Sequence, residues 1–213
     1  MTPWIVIPAR GVRAGKSRLA TRLSEPGRHA LNTMLLRHVL AQVREVQGTL
    51  DACLVVSPCA ETLGLAAHAG ARTLAEPKAS GLNPALEAAR REVIEAGATR
   101  LLILPTDLPS LNATALGDFI ELARAPGRLV IAPDALDAGT NALAVDGDSR
   151  FASFESFVFR FGEHSFRMHL EQARRLEIPS VVHRASAFAY DLDTPEDFDR
   201  FERNCGFETA TLR

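Results

Sequence analysis

Apolar and polar positions along the chain follow two rhythms. Short unbroken apolar runs occupy residues 4–7, 53–57, 101–105, 129–133 and 141–145. Runs of this length without polar alternation read as strands covered on both faces. Between them, apolar residues recur every three or four positions. The clearest case is 26–46, where Leu31, Met34, Leu35, Val39, Leu40 and Val43 form one stripe. The same spacing predicts helices over 61–69, 83–96, 113–123, 164–176 and 196–204. Shorter strand pieces are expected at 72–75, 181–183 and 187–190. Pro58 stops the second strand, and Gly70 and Gly97 follow helices, as helix C-termini favour. The run Leu-Leu-Ile-Leu-Pro at 101–105 is the most apolar and belongs at the centre of the sheet.

Strands alternating with helices predict an α/β three-layer sandwich: a mostly parallel sheet with helices on both faces and right-handed crossovers. Ligands in such sheets bind beyond the carboxyl ends of the strands, so the informative residues follow each strand.

Composition narrows the rest. The 213 residues suit a single domain over 1–213, with a polar tail at 207–213 that frays. With 46% hydrophobic and 23% charged residues, the chain is neither disordered nor a disulfide scaffold. A net charge of −2 excludes a surface that tracks a nucleic acid polymer, but not a small phosphorylated ligand. Cys53, Cys59 and Cys205 form no metal or disulfide pattern, so a reducing cytoplasm is expected. The opening residues read as a first strand rather than a secretory leader. No apolar run approaches membrane-spanning length, so no membrane association is expected.

Three loops carry candidate chemistry. The stretch 8–19 (Pro-Ala-Arg-Gly-Val-Arg-Ala-Gly-Lys-Ser-Arg-Leu) puts two glycines, three arginines and a lysine between a strand and a helix, a composition suited to phosphate. It is not a Walker loop, because Gly11 and Gly15 are one residue too close. A flexible basic surface loop is the bland alternative. Only Lys16 and Lys78 are lysines among 24 basic residues, so each marks a place where arginine does not fit. Asp107 follows the central strand between Pro105 and Pro109, which suits a metal ligand. In an extended segment Asp191 and Asp193 share one face about 7 Å apart and require a cation nearby. Thr194 (or Asp193), Pro195, Glu196 and Asp197 read as a helix start, so Asp197 has a structural role there.

Weaker signals remain. Asn83, after Gly81 and Leu82, reads equally as a helix cap. Gly139-Thr140-Asn141 precedes a strand, and Gly162 with Ser165 opens a helix that suits an anion or is a plain turn. His164 and His169 are not on one helical face and read as exposed or partly packed. Phe151, Phe154, Phe157, Phe159 and Phe161 read as packing or a hairpin, with pairing across a homodimer as the other use.

Taken in order, Ala14-Gly-Lys-Ser-Arg-Leu19, Gly81-Leu82-Asn83, Pro105-Thr-Asp-Leu-Pro109, Gly139-Thr-Asn-Ala-Leu143, Phe161-Gly-Glu-His-Ser-Phe166 and Asp191-Leu-Asp-Thr-Pro-Glu-Asp197 resemble the guanylyltransferases of coenzyme F-420 biosynthesis, called CofC or FbiD. The resemblance runs from about residue 4 to 200. It implies a Rossmann-like fold of the nucleotide-diphospho-sugar transferase type. It implies transfer of GMP from GTP to phosphoenolpyruvate, 2-phospho-L-lactate or 3-phospho-D-glycerate, with release of pyrophosphate. By position, Asp107, Asp191 and Asp193 would hold Mg²⁺. Arg10, Lys16 and Arg18 would bind nucleotide phosphates, Leu82 and Asn83 would lie near the nucleotide, and Thr140, Gly162 and Ser165 would bind the acid. Asp107 and Lys16 would be catalytic. Arg10 departs from the family, which often has lysine there, and the stretch between Leu143 and Phe161 is a few residues longer. The alternatives are a molybdenum-cofactor guanylyl- or cytidylyltransferase of the same superfamily, and a nucleotide-binding domain without turnover.

Overall fold

A computed structural model describes residues 3–12, 15–76, 81–146, 154 and 156–204. The chain runs β1 (Trp4–Pro8), α1 (Glu25–Gln47), β2 (Cys53–Ser57), α2 (Ala60–His68), β3 (Arg72–Ala75), α3 (Leu82–Glu95), β4 (Arg100–Ile103), α4 (Ala113–Ala123), β5 (Leu129–Pro133), β6 (Thr140–Asp146), α5 (Ser165–Arg175), β7 (Ser180–Val182) and α6 (Pro195–Asn204). Local chemistry sets the boundaries. Ser24 accepts the Gly27 amide at 3.2 Å to open α1, and Gly48, at φ 79°, ends it. Asn112 does the same for α4, accepting the Ala115 amide at 2.9 Å.

The strands form one sheet in the order β3-β2-β1-β4-β6-β5-β7. β1 pairs in parallel with both β2 and β4, so the chain order reverses there, and a crevice opens beyond their carboxyl ends. β6 runs antiparallel between β4 and β5, while β7 is parallel to β5. The 101–105 run, as β4, is the middle strand.

Side chains alternate across the sheet and feed two cores. Ile5, Ile7, Cys53, Val55 and Leu102 meet α1, α2 and α4 through Val39, Val43, Ala66, Leu116 and Phe119. Val6, Leu54, Leu101, Ile103 and Ile131 meet α3 and α5 through Leu86, Val93, Phe166 and Ala173. A third cluster joins Leu19, Leu23, Leu31 and Leu35 to Leu192, Phe198 and Phe201, which seats α6 beside the loop after β1.

Two expected pieces of extended structure differ. Residues 187–190 are not a strand; Ser186–Phe188 is a 3-10 turn. Ala187 and Phe188 are both buried, which the alternation of a one-sided strand does not allow, and Phe188 packs against Phe119 and His183. Residues 191–193 join no ladder either. Their alternation survives, because Leu192 is buried and its amide donates to the Asp107 carbonyl at 2.9 Å. The tail at 207–213, Cys205, Lys78, Phe151 and most of 147–155 lie outside the described residues.

Candidate active site

The loop after β1 is held by its neighbours rather than left flexible. Gly11 sits at φ 123°, and a Cβ there would come within 2.8 Å of the Cys59 Cβ. The Val12 amide donates to Thr62 Oγ1 at 3.0 Å, and Asn32 Nδ2 donates to the Val12 carbonyl at 3.0 Å. A Cβ on Gly15 would meet the same Asn32 amide at 2.9 Å. α1 and α2 therefore fix the loop, with Arg13 and Ala14 outside the described residues. Lys16 then takes a left-handed backbone (φ 62°) and starts the 3-10 turn Ser17–Thr21.

That conformation directs Lys16 across the crevice. Its Nζ donates to Asp193 Oδ1 at 2.7 Å and to Asp107 Oδ2 at 3.3 Å, with only 7% of the side chain exposed. Asp107 and Asp193, 86 positions apart in sequence, thus stand within two hydrogen bonds of each other. The compact Lys16 ammonium reaches both carboxylates at once. Burial works against the charge on Lys16, but Asp107 and Asp193 outweigh it and hold its pKa above the ordinary lysine value. Arg10 and Arg18 are exposed.

Asp191 completes the group. Burial, then the charge of Asp107 and that of Asp193, push its pKa up to about 6. Three carboxylates face one ammonium, so the site carries surplus negative charge and suits a hard cation with oxygen ligands. Among the described residues, no three acidic, histidine or cysteine side chains form a ready ligand cage. The ammonium of Lys16 stands between two of the carboxylates instead. Asp197 has the structural role expected of it. Its Oδ2 accepts from the Thr194 amide at 2.8 Å, the Thr194 hydroxyl at 2.7 Å and the Asp193 amide at 3.2 Å, while Thr194 Oγ1 accepts the Asp197 amide at 3.2 Å. This capping box fixes the backbone that presents Asp193.

A second cluster lies along the same rim. Because β6 is antiparallel to β4, its first residue reaches the end from which β4 leaves. Thr140 therefore begins β6 at the same end of the sheet from which the chain leaves β4 towards Asp107. Asp134 shapes the approach: its carboxylate accepts the amides of Leu136, Ala138 and Gly139 at 3.0, 2.9 and 2.7 Å. The Phe166 amide donates to the Ala138 carbonyl at 3.2 Å, tying the start of α5 to that loop. Exposed Gly162, at φ 127°, accepts the amide of buried Ser165 at 3.2 Å. Gly162 and Ser165 thus sit at the start of α5, which is tied to the loop leading into Thr140.

Between α3 and α5 runs an extended strap, residues 157–161, that belongs to no sheet. Side chains satisfy its backbone instead. Arg90 donates to the Phe154 and Phe157 carbonyls. Gln172 pairs with both polar groups of Val158, at 3.0 and 2.8 Å, and Glu87 accepts the Phe159 amide at 3.0 Å. Asn83 pairs with both polar groups of Phe161, at 2.8 and 3.0 Å. Asn83 is therefore not the helix cap; Gly81 holds that position, and the Asn83 amide clamps the strap. Leu82 packs beside it against the α3–α5 core. Phe154, Phe157 and Phe159 are buried within the chain, so packing is their use and they offer no partner surface.

His169 corrects another expectation. It is fully buried, not surface or partly packed. It shares a stripe with Phe166, Leu170 and Ala173, and that spacing on the apolar face was the missed signal. His164 is exposed, as expected. Asn32, Thr62 and Asp134 were also missed, since nothing local distinguishes them from ordinary surface polar residues.

The sheet order, the loop after β1 and the acidic rim define a nucleotidyltransferase type of α/β fold. The chain superimposes on a nucleotidyl transferase from Methanothermobacter thermautotroptrophicus (TM-score 0.63, 18% identity, covering 94% of this chain and 98% of that one). It also superimposes on CMP:2-keto-3-deoxy-manno-octonic acid synthetase complexed with CTP (TM-score 0.62, 12% identity, 95% and 98%). Residues 3–201 match the family described as guanylyl transferase CofC like, and the chain belongs to that family. It is similar to a phosphoenolpyruvate guanylyltransferase of Rubrobacter xylanophilus, at 36% identity over the whole of both chains. One of the same name from Sphaerobacter thermophilus is 37% identical over 93% of this chain and 92% of its own. A 3-phospho-D-glycerate guanylyltransferase of Phenylobacterium zucineum is 36% identical over 97% and 93%.

Proposed function

We propose that this protein moves GMP from GTP to a small phosphorylated acid, with release of pyrophosphate, as a step in coenzyme F-420 biosynthesis. The observation that carries the reading is the meeting of Lys16, Asp107 and Asp193, with Asp191 beside them, at the reversal point of the sheet. The acceptor is phosphoenolpyruvate, 2-phospho-L-lactate or 3-phospho-D-glycerate; relatives named for the first and third support this set.

The chemistry needs little proton handling. A phosphate monoester has its second pKa near 6, so at pH 7 the acid is already an anionic nucleophile. One of its phosphate oxygens attacks the α-phosphorus of GTP, the bond from that phosphorus to the bridging oxygen breaks, and pyrophosphate leaves with the electron pair. The obstacle is repulsion between two anions. Arg10, Lys16 and Arg18 bind the phosphates of GTP, and Lys16 offsets charge on the leaving pyrophosphate. Leu82 and Asn83 lie near the nucleotide. Thr140, Gly162 and Ser165 hold the acid in line. Asp107, Asp191 and Asp193 are the residues that would hold Mg²⁺, which would supply neutralisation of phosphate charge there. Lys16 stands between two of these carboxylates, so its ammonium is positioned to pass from them to the incoming phosphates.

The reading puts the protein in the cytoplasm. Cys53 and Cys59 are free thiols, and no helix of the described residues is long and apolar enough to cross a membrane. The test is incubation with GTP, Mg²⁺ and each acid in turn, following pyrophosphate. Release that depends on one of the three acids and stops on chelation with EDTA is expected. Absence of release with all three refutes the reading. Release with a molybdenum cofactor as acceptor would favour the other transferases of this fold.

A further inference from the structure

His169 lies under the acid cluster rather than in it, and its two ring nitrogens have different partners. The Arg160 backbone amide points at Nε2, at 3.0 Å. An amide donates, so Nε2 accepts and carries no proton. In a neutral imidazole the proton then resides on Nδ1. Nδ1 lies 3.1 Å from Thr140 Oγ1, so the ring donates and the hydroxyl accepts. A hydroxyl has one proton and two lone pairs. With one lone pair engaged by His169, its own proton remains for another acceptor.

The ring is held firmly in this orientation. It stacks on Phe157, with centroids 5.8 Å apart and planes 24° apart, and Phe161 meets its edge at 5.1 Å. Burial, helped by the charge of Arg160, pushes its pKa to about 4, so the neutral form persists at pH 7. The strap thus reaches the rim by a covalently independent route: Arg160 amide to His169, His169 to Thr140.

We propose that His169 is a positioning residue for the acid substrate: through its Nδ1 proton it fixes the Thr140 hydroxyl as a donor aimed at the carboxylate or phosphate of the acid. This rests on the assignment of Thr140 to the acid site. Guanylyl transfer at the α-phosphorus does not involve His169 directly.

Two substitutions separate the ring's nitrogens. Glutamine places its amide oxygen near the Nε2 position and keeps the Arg160 contact, whereas asparagine places its amide nitrogen near the Nδ1 position and keeps the donor to Thr140. With phosphoenolpyruvate, 2-phospho-L-lactate and 3-phospho-D-glycerate each as probe, His169→Gln should raise KM for the active acid about tenfold, the scale of one hydrogen bond to a charged group. KM for GTP should not move, and His169→Asn should recover most of the loss. A strap that merely collapses would raise both KM values in both variants, which overturns the proposal. In the wild-type protein, nitrogen-15 spectra of the imidazole at pH 7 should show the proton on Nδ1; a proton on Nε2 overturns it without any variant. Thr140→Val distinguishes the two failures. If it leaves KM for the acid unchanged, the acid-site assignment fails and this inference with it. If it raises that KM while His169→Gln does not, only the role of His169 falls.

Discussion

Asp191 costs the fold stability, and Asp191→Asn should return some of it. Its carboxyl titrates near 6 in the folded chain against an ordinary 3.8, because burial and then Asp107 oppose its charge. A folded pKa raised in this way means that the unfolded chain gives up its proton first. The penalty is absent below pH 3.8, grows between there and about 6, and is complete above. Taken in full, the rise is about 3 kcal/mol. The group is part-exposed and water screens it, so about 1 kcal/mol is the realistic gain from removing the charge. For a chain of this size that is roughly 2–4 °C in melting temperature. The assay is thermal unfolding of metal-free wild type and variant, in EDTA, at pH 7.5 and pH 4. The variant should melt higher at pH 7.5, the difference should shrink markedly at pH 4, and turnover should be lost. A variant that melts at or below wild type at pH 7.5 would refute the view that like charge is stored at this rim.

Asp107→Asn should leave the fold intact, since Asp193 still pairs with Lys16, yet lower kcat by ~10²-fold or more, the scale of one transition-state electrostatic contact; near-wild-type turnover would remove it from the chemistry. Ser165→Ala should raise KM for the acid severalfold and leave KM for GTP unchanged, and equal loss of both would contradict the separation of the two clusters. Gly11→Ala must accommodate a positive φ and a Cβ 2.8 Å from Cys59, so a loss of roughly 1–3 kcal/mol in chemical denaturation is expected, together with weaker GTP binding; a neutral effect would show that the loop is not held as described. Asn83→Ala strips two hydrogen bonds from the Phe161 backbone and should cost about 1–3 kcal/mol, read by the same denaturation.

The parts legible in the sequence are those whose chemistry is local. Uninterrupted apolar runs marked β1, β2, β4 and β5, and the 3.6-residue stripe marked α1. Thr194, Pro195, Glu196 and Asp197 announced a helix start because a cap, a first-position proline and first-turn acids are written within four residues. The rarity of lysine pointed to Lys16 before any partner was visible. Other parts depend on residues far apart. The strap at 157–161 alternates as a strand would, with a phenylalanine at every second position, yet Glu87, Arg90, Gln172 and Asn83, not a neighbouring strand, satisfy its backbone. Asn83 looked like a cap because its partner, Phe161, is 78 positions away. The 187–190 piece read as a strand from its apolar content; Phe188 instead turns inward against Phe119. Which of three carboxylates would share Lys16 and which would be left protonation-prone is a property of the fold alone.

The reversed direction of β6 has a consequence for how specificity can be altered. Lys16 and Asp107 arrive at the rim on loops that follow parallel strands, whereas Thr140 arrives at the beginning of a strand running the other way, supported by α5 and the strap. If Thr140 takes the acid as proposed, the acceptor rests on β6, α5 and the strap and the nucleotide on the loops after β1 and β4, with Asn83 joining the two through Phe161. Exchanging residues on the α5 side should retune which acid is taken while the handling of the nucleotide is preserved, so the two halves form a natural division for engineering.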